Sequence, residues 1–315
     1  MKTAVLYINN LKGGVAKTSS TANLGAGLAR LGYKVLMIDW DPQANLTMHF
    51  GFDPKTEKDT LYTALDKEND DLYDLDKLIP LPVPIEHYQQ HLFLLKANFD
   101  LSRFEPIFSA PDVGAIGHKA LSNVLDNFRG KVDFVLIDCQ PSLSLLTINA
   151  YYASDWLLIP AEAGIFSASG MDQILVSLRR INKNFEKNIQ VAGVFFTRSH
   201  PNTVVEKDYT TYLDGREDVP MLHSKIRTNV AVKESQEVGV DIFTYDKQAS
   251  GGAKKHLVSN ATEDYYNLLN EILVKIGVKE ETEKAREEEQ PVNKETKYKK
   301  IKGDLKSSFQ DFLKK

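Results

Sequence analysis

The sequence predicts an α/β fold built on a doubly wound, mostly parallel sheet with helices on both faces. Short apolar segments of strand length alternate along the chain with segments of helical spacing, which is the pattern of this class. The first unit, residues 3–39, has the order strand, glycine-bearing loop, helix, strand, which is typical of a parallel βαβ unit. Hydrophobic residues make up 42% of the 315-residue chain, enough for one large core.

Six strands are predicted from short, mostly apolar segments at residues 3–9, 34–39, 91–95, 132–138, 155–160 and 191–196. Helices are predicted over 18–31, 61–65, 167–185 and 265–276. In the first of them Leu24, Leu28 and Leu31 share one face, and Gly32 ends the helix. The polar, proline-containing segment 53–90 is predicted to be a surface excursion from the sheet.

The chain divides by composition into a main domain at 1–278, a charged linker at 279–293 and a basic tail at 294–315. The tail holds 8 basic and 3 acidic residues. Its apolar residues Ile301, Leu305, Phe309 and Phe312 fall at helical spacing, although Gly303 weakens a helix there. Three interpretations stay open: a disordered tail, an amphipathic helix for a protein or DNA partner, and a helix on a membrane surface.

Composition excludes several classes of protein. The single cysteine, Cys139, rules out a disulfide framework and fits a reducing cytoplasm, where we expect it to be a small buried residue. We find no signal peptide, and no apolar run approaches the 18 residues that a membrane-spanning helix requires. A metal site at His87 and His91 lacks an obvious third ligand. Because the net charge is −4, any binding to DNA must come from a local basic patch or from patches summed over an oligomer.

A phosphate-binding loop is predicted between the first strand and the first helix. Residues 12–18 have the sequence KGGVAKT, where glycines let backbone N–H groups approach phosphate oxygens at a helix N-terminus. Lys17 would reach the β- and γ-phosphates of a nucleotide, and the Thr18 hydroxyl would ligate Mg²⁺. The candidate ATP-binding residues are Gly13, Gly14, Val15, Ala16, Lys17, Thr18 and Ser19. The common glycine pattern is not met, and a second lysine, Lys12, opens the loop instead.

Acidic residues end two of the predicted strands. Asp39 and Asp41 follow the second strand, and alternation along a strand places them on the same side of its end. Asp138 ends the strand VLID, which matches a Walker B sequence, and we expect it to hold Mg²⁺. A turn or helix-cap role is the alternative for Asp39 and Asp41.

These motifs resemble those of the ParA/MinD family of ATPases. KGGVAKT is similar to the family's deviant Walker A motif, DWDPQANLT is similar to the ParA stretch DxDPQxNxT, and 139–150 resembles the ParA switch II stretch. Gln140 stands where family members usually have proline. The resemblance covers residues 3–51 and 132–276, with little in 53–130.

The resemblance implies a homodimer that encloses ATP and Mg²⁺. Lys12 would cross to the partner's nucleotide, Asp41 would position the attacking water, and Asp39 would support the Mg²⁺ network. Arg227 and Asn229, within the looser match 226–235, would lie near the adenine.

The resemblance also implies a cytoplasmic, nucleoid-associated protein with a ParB-like centromere-binding partner and non-specific double-stranded DNA. Candidate DNA-binding residues are Arg179, Arg180, Lys183, Lys254 and Lys255, for which a merely solvated basic face is the alternative. A MinD-like positioning ATPase on membranes and a nucleotide-gated binding protein with negligible turnover are the alternative functions. Liposome binding with and without residues 294–315 separates the MinD-like protein from the partition ATPase.

Overall fold

The computed structural model describes residues 2–65, 88, 91–108, 117–201, 203–250 and 259–279. Several sequence predictions lie outside these residues. They concern Lys254 and Lys255, the linker after residue 279, the tail at 294–315, His87, and most of the excursion at 53–90.

Six parallel strands form the sheet of the described residues, in the order β3-β2-β4-β1-β5-β6. They are β1 (Ala4–Ile8), β2 (Val35–Trp40), β3 (Leu92–Leu95), β4 (Phe134–Cys139), β5 (Trp156–Ala161) and β6 (Gln190–Phe196). All six predicted strands are confirmed, with bounds that agree to within two residues. The strands β1 and β4 are neighbours at the centre of the sheet. The chain passes from β1 to β2 on one side of this pair and from β4 to β5 on the other side, which opens a crevice at their carboxyl ends.

The helices of the described residues cover both faces of the sheet. They are α1 (Lys17–Arg30), α2 (Asn45–His49), α3 (Leu61–Leu65), α4 (Phe104–Phe108), α5 (Ala120–Asp126), α6 (Leu145–Ala153), α7 (Ile165–Asn184), α8 (Val204–Asp214), α9 (Val230–Glu237), α10 (Ile242–Ser250) and α11 (Asn260–Lys275). The last helix was predicted at 265–276, but it begins earlier, at Asn260. Ser259 is the N-cap, and the polar first turn of α11 carries no apolar periodicity for the sequence to show.

Alternation along the strands divides the core into two layers. Tyr7 and Ile137 face the layer that α5, α6 and α7 cover, whereas Leu6 and Leu136 face the layer that α1 and α11 cover. Because both faces are buried, the central strands are almost entirely apolar until the acidic residues at their carboxyl ends. Among the described residues, no helix has the length and apolar character that a membrane span requires.

Candidate functional site

A cavity of about 500 Å³ opens at the carboxyl ends of the central strands. This volume lies within the range of small-molecule sites. Five parts of the chain supply the walls: the loop that leads into α1, the segment after β2, the end of β4 with the residues that follow it, the segment after β6, and the end of α9. The lining residues are Gly13, Gly14, Ala16, Lys17, Thr18, Ser19, Asp41, Asn45, Met48, His49, Cys139, Pro141, Arg198, Gln236 and Glu237.

The loop that precedes α1 is shaped to present backbone N–H groups. Gly14 has φ +78°, and Ala16, the N-cap of α1, adopts left-handed geometry with φ +59°. Ala16 offers no side-chain cap and the first turn of α1 holds no acidic residue, so no protein group there neutralises the positive end of the helix. This end faces the cavity, because Ala16, Lys17 and Thr18 line it. The Thr197 hydroxyl donates to the Val15 carbonyl at 3.2 Å and ties the loop to the end of β6. This arrangement suits an anion such as phosphate.

Lys17 is a largely buried cation at the floor of the loop. Its ammonium group donates to the Lys12 carbonyl oxygen at 3.2 Å, and its side chain belongs to a residue only 8% exposed. Burial lowers the pKa of Lys17, an effect that Asp138, Cys139 and Asp41 partly oppose. Within the described ranges no carboxylate lies at ion-pair distance from it. An anionic ligand would therefore stabilise this charge.

Asp138 is a buried carboxyl group that the Thr18 hydroxyl approaches without forming a hydrogen bond of ordinary geometry. It is 1% exposed, and neither carboxyl oxygen has a hydrogen-bond partner among the described residues. Burial raises the pKa of Asp138 well above its usual range and nearby Asp39 raises it further, while the Thr18 hydroxyl lowers it. Such an unpaired buried carboxylate is costly unless a cation approaches it.

Asp39 and Asp41 lie beside Asp138 because β2 and β4 are adjacent, with Asp39 aligned on Asp138. Asp39 is fully buried, and one of its oxygens accepts from both the backbone N–H and the hydroxyl of Thr47, each at 2.7 Å. Its other oxygen has no partner in the described structure, and burial raises its pKa to about 7. Asp41 lines the cavity, where it accepts from the Gln43 N–H at 2.8 Å.

The donor set of this corner fits Mg²⁺. The available groups are a hydroxyl, from Thr18, and unpartnered carboxyl oxygens, from Asp138 and Asp39. Across the described residues, no three acidic, histidine or cysteine side chains converge into a complete metal cage. Mg²⁺ commonly uses one or two carboxylates and takes its other ligands from substrate phosphates and water, so a partial set beside a phosphate loop is what it requires.

Lys12 directly precedes the lining residue Gly13, and its side chain is 50% exposed. Its ammonium group pairs with Glu162 at 2.9 Å, and the same carboxylate accepts from Arg198 at 3.1 Å. Sequence reasoning did not single out Glu162 or Arg198: the stretch 155–170 that contains Glu162 follows the family pattern, but no local pattern marks the residues that meet Lys12 in space. The role of Lys12 toward a partner's nucleotide stays a prediction.

The predicted adenine residues do not line the cavity. The Arg227 guanidinium pairs with Asp264 at 2.6 Å, and Asn229 caps α9 by accepting from the Ala231 N–H at 2.8 Å. Their predicted contact with adenine is not tested. The end of α9 lies at the cavity instead, through Gln236 and Glu237, and the Gln236 amide donates to the Ser19 hydroxyl. No sequence signal distinguished these two polar residues from a solvated helix face.

Two further predictions concern the residues after β4. Cys139 is buried, as expected, and burial raises the pKa of its thiol above the ordinary value. Gln140, at the position where the family usually has proline, donates from its amide to the Ser144 hydroxyl at 3.1 Å. Ser144 is the N-cap of α6, so Gln140 connects the end of β4 to the start of that helix.

The candidate DNA-binding residues within the described structure lie on α7. Arg179, Arg180 and Lys183 are all exposed. The Arg179 guanidinium is 3.7 Å from the Asp218 carboxylate, so the surface there is not uniformly basic. Either a solvated face or a DNA contact is compatible with this arrangement.

Comparison with known proteins gives consistent matches. The family model described as an AAA domain matches residues 3–191. The sporulation initiation inhibitor protein Soj of Bacillus subtilis is 30% identical over 252 residues, which cover 78% of this chain and 93% of that protein. The chromosome partitioning protein ParA of Caulobacter vibrioides is 31% identical over 255 residues, with coverage of 78% and 89%. A solved structure of cobyrinic acid a,c-diamide synthase from Mycobacterium smegmatis, with bound ATP analog and magnesium, is 27% identical. It has a TM-score of 0.61 and covers 81% of this chain and 97% of that one.

Proposed function

Because this chain belongs to the AAA domain family and is a ParA-type P-loop ATPase, we propose that it is an ATP-switched homodimer that partitions DNA. In this proposal it binds ATP with Mg²⁺, closes into a dimer, binds double-stranded DNA non-specifically and acts on the nucleoid in the cytoplasm. A ParB-like partner stimulates a hydrolysis that is slow without it. The name of the Caulobacter vibrioides relative, a chromosome partitioning protein, supports the partition role, and the Mycobacterium smegmatis structure, with its ATP analog and magnesium, supports the ligands.

The observation that carries the nucleotide assignment is the unpartnered Asp138 carboxyl group behind the phosphate loop. Asp138 and Thr18 would hold Mg²⁺, with Asp39 supporting them from the adjacent strand. The bound metal would neutralise phosphate charge during transfer. Lys17 would bind the terminal phosphates, where the anion replaces the water that its burial has removed.

Asp41 is the residue best placed to position the attacking water. It is the one of the three carboxyl groups that lines the cavity, and one of its oxygens is fixed by the Gln43 N–H. Burial raises the pKa of Asp41, a shift that the Gln43 N–H and the charge of Lys17 limit. A carboxylate held in this way can accept a hydrogen bond from water without being locked to the metal.

The position of Lys12 supports the dimer. Its half-exposed side chain pairs with Glu162 and does not line the cavity floor with Lys17, so on release from Glu162 it could reach a second subunit. A lysine donated across an interface would make the nucleotide part of that interface and would add charge where it is needed during hydrolysis.

The test measures DNA binding as a function of nucleotide. With Mg²⁺, we expect salt-sensitive binding to DNA of arbitrary sequence in the presence of ATP, and weak binding with ADP or without nucleotide. Lys17→Ala is the matched control and should bind DNA weakly in every condition. Equal binding of the wild-type chain with ATP, with ADP and without nucleotide would contradict the proposed switch.

A further inference from the structure

One carboxylate, Glu162, connects two cations, Lys12 and Arg198, and Arg198 lines the cavity. It follows the last residue of β5, and its side chain is 26% exposed. One of its oxygens lies 2.9 Å from the Lys12 ammonium group, and the other lies 3.1 Å from the Arg198 guanidinium. Partial burial alone would raise the pKa of Glu162, but the two cations lower it below the ordinary value. Glu162 is therefore held as a carboxylate between two positive charges.

Arg198 is placed to reach a phosphate in the loop. It lines the cavity, and its Nη1 atom lies 4.0 Å from the position that a Cβ atom on Gly14 would occupy. Its backbone adopts the left-handed region with φ +49°, which is uncommon for a residue other than glycine and costs free energy that surrounding contacts must offset. Those contacts include the preceding Thr197, whose hydroxyl donates to the Val15 carbonyl of the loop.

The charges suggest what a ligand would change. Before a nucleotide binds, Glu162 is the counter-ion of Lys12 and Arg198, and its negative charge borders a site built for an anion. A triphosphate carries more negative charge than one carboxylate. Two oxygens of one phosphate can also accept the two parallel N–H bonds that a guanidinium donates. The side chain of Arg198 is 59% exposed, so moving from Glu162 to a phosphate requires little desolvation.

We infer that Arg198 is a further phosphate-binding residue of this site and that Glu162 retains Arg198 and Lys12 until a nucleotide displaces it. This inference rests on the proposed function, since it needs a nucleoside triphosphate in the cavity. Arg198 is then a third cation beside Lys12 and Lys17. Glu162 is a positioning residue, and its ion pairs with Arg198 and Lys12 break when a nucleotide binds.

Calorimetric titration with AMPPNP and Mg²⁺ tests the inference. Arg198→Gln should weaken binding about 10-fold, the loss expected for one charge-assisted hydrogen bond, and Arg198→Lys should restore part of it. Inorganic tripolyphosphate, used as a competitor, should lose affinity by the same factor, because the contact is to phosphate rather than to the base. Arg129→Gln is the matched control, since Arg129 makes a comparable exposed ion pair with Asp126 at 3.1 Å, outside the cavity lining, and should bind as wild type.

Glu162→Gln should strengthen AMPPNP binding about 3-fold or more, because the competing carboxylate is gone. In a chain that also carries Lys12→Gln and Arg198→Gln, Glu162→Gln should leave the affinity for AMPPNP almost unchanged, because the two cations that Glu162 holds are gone. If Glu162 had a merely structural role, the substitution would change the affinity equally in both backgrounds. The inference is overturned if Arg198→Gln binds as tightly as wild type, or if Glu162→Gln acts equally in both backgrounds. If either result is found while Lys17→Ala still abolishes binding, the inference fails but the proposed nucleotide site stands. If the wild-type chain binds no nucleotide, the proposed site and the inference fail together.

Discussion

Replacing Asp39 with asparagine should stabilise the ligand-free protein at the expense of its metal site. The Asp39 carboxyl group is fully buried, and only one of its oxygens has a partner, the Thr47 N–H and hydroxyl. Asparagine has the same shape, and its carbonyl oxygen can accept both of those hydrogen bonds. What the substitution removes is the negative charge.

The magnitude follows from the pKa of Asp39, which burial raises from 3.8 to about 7. In the interval between these values the folded chain keeps a proton that the unfolded chain has released, so stability falls as the pH rises through it. Each unit corresponds to about 1.4 kcal/mol, which gives a cost of about 2 kcal/mol at pH 5 and about 4 kcal/mol at pH 8. The unpaired amide of asparagine subtracts a pH-independent 1–3 kcal/mol or so from the gain.

The assay is urea denaturation of wild type and Asp39→Asn at pH 5 and pH 8, with EDTA present throughout. The free energy of unfolding of the variant, relative to wild type, should rise by about 2–3 kcal/mol between the two pH values. Thr47→Val is the control, because it removes one hydrogen bond to Asp39 but retains its charge, and it should not produce this rise. A variant whose relative stability is the same at both pH values, or lower at pH 8, would refute the assignment of a buried, destabilising charge.

Three further predictions concern the cavity. Lys17→Ala should abolish nucleotide binding, seen as loss of the thermal shift that ATP and Mg²⁺ give wild type, because the phosphates lose their buried cation; a retained shift would contradict this. Asp41→Ala should still bind ATP and dimerise but should not hydrolyse, and phosphate release at the wild-type rate would show that another group positions the water. Burial lowers the pKa of His49 to about 4, so protonation of the unfolded chain should cost about 2 kcal/mol of stability between pH 7.5 and pH 5. His49→Gln should lack this part of the acid sensitivity in urea midpoints, and an unchanged pH profile would exclude His49 as its source.

The sheet and the loop could be predicted because their causes are local. Apolar runs define the strands, and the glycines and lysines between β1 and α1 define the loop. The meeting of Asp39 with Asp138 also followed, since parallel strands end at the same edge of a sheet.

The rest of the site depends on contacts between distant residues that no local pattern encodes. Thr47 reaches Asp39 only because Ala44 takes left-handed geometry and turns α2 back toward β2. Glu162 meets Lys12 across 150 positions of sequence. Gln236, at the end of α9, reaches Ser19 in α1, whereas the expected Arg227 is held by Asp264 on α11. Each of these depends on loop geometry that the sequence does not reveal by itself.

The proposed exchange of lysines between subunits can be tested by mixing two inactive variants. In Lys12→Ala, each site of a dimer lacks the partner's lysine, and in Asp41→Ala each site lacks its own aspartate. A mixed dimer has one site with its own Asp41 and the partner's Lys12. The matched control mixes Lys17→Ala with Asp41→Ala, a pairing in which each site lacks a residue that acts within its own subunit.

The decisive measurement is the rate of phosphate release from an equimolar mixture of Lys12→Ala and Asp41→Ala, with each variant also measured alone. If Lys12 serves the neighbouring nucleotide, about half of the dimers are mixed and each has one competent site, so the mixture should recover about a quarter of the wild-type rate. A mixture as inactive as its two components would show that Lys12 acts on its own nucleotide or not at all, and the shared-nucleotide dimer would have to be abandoned.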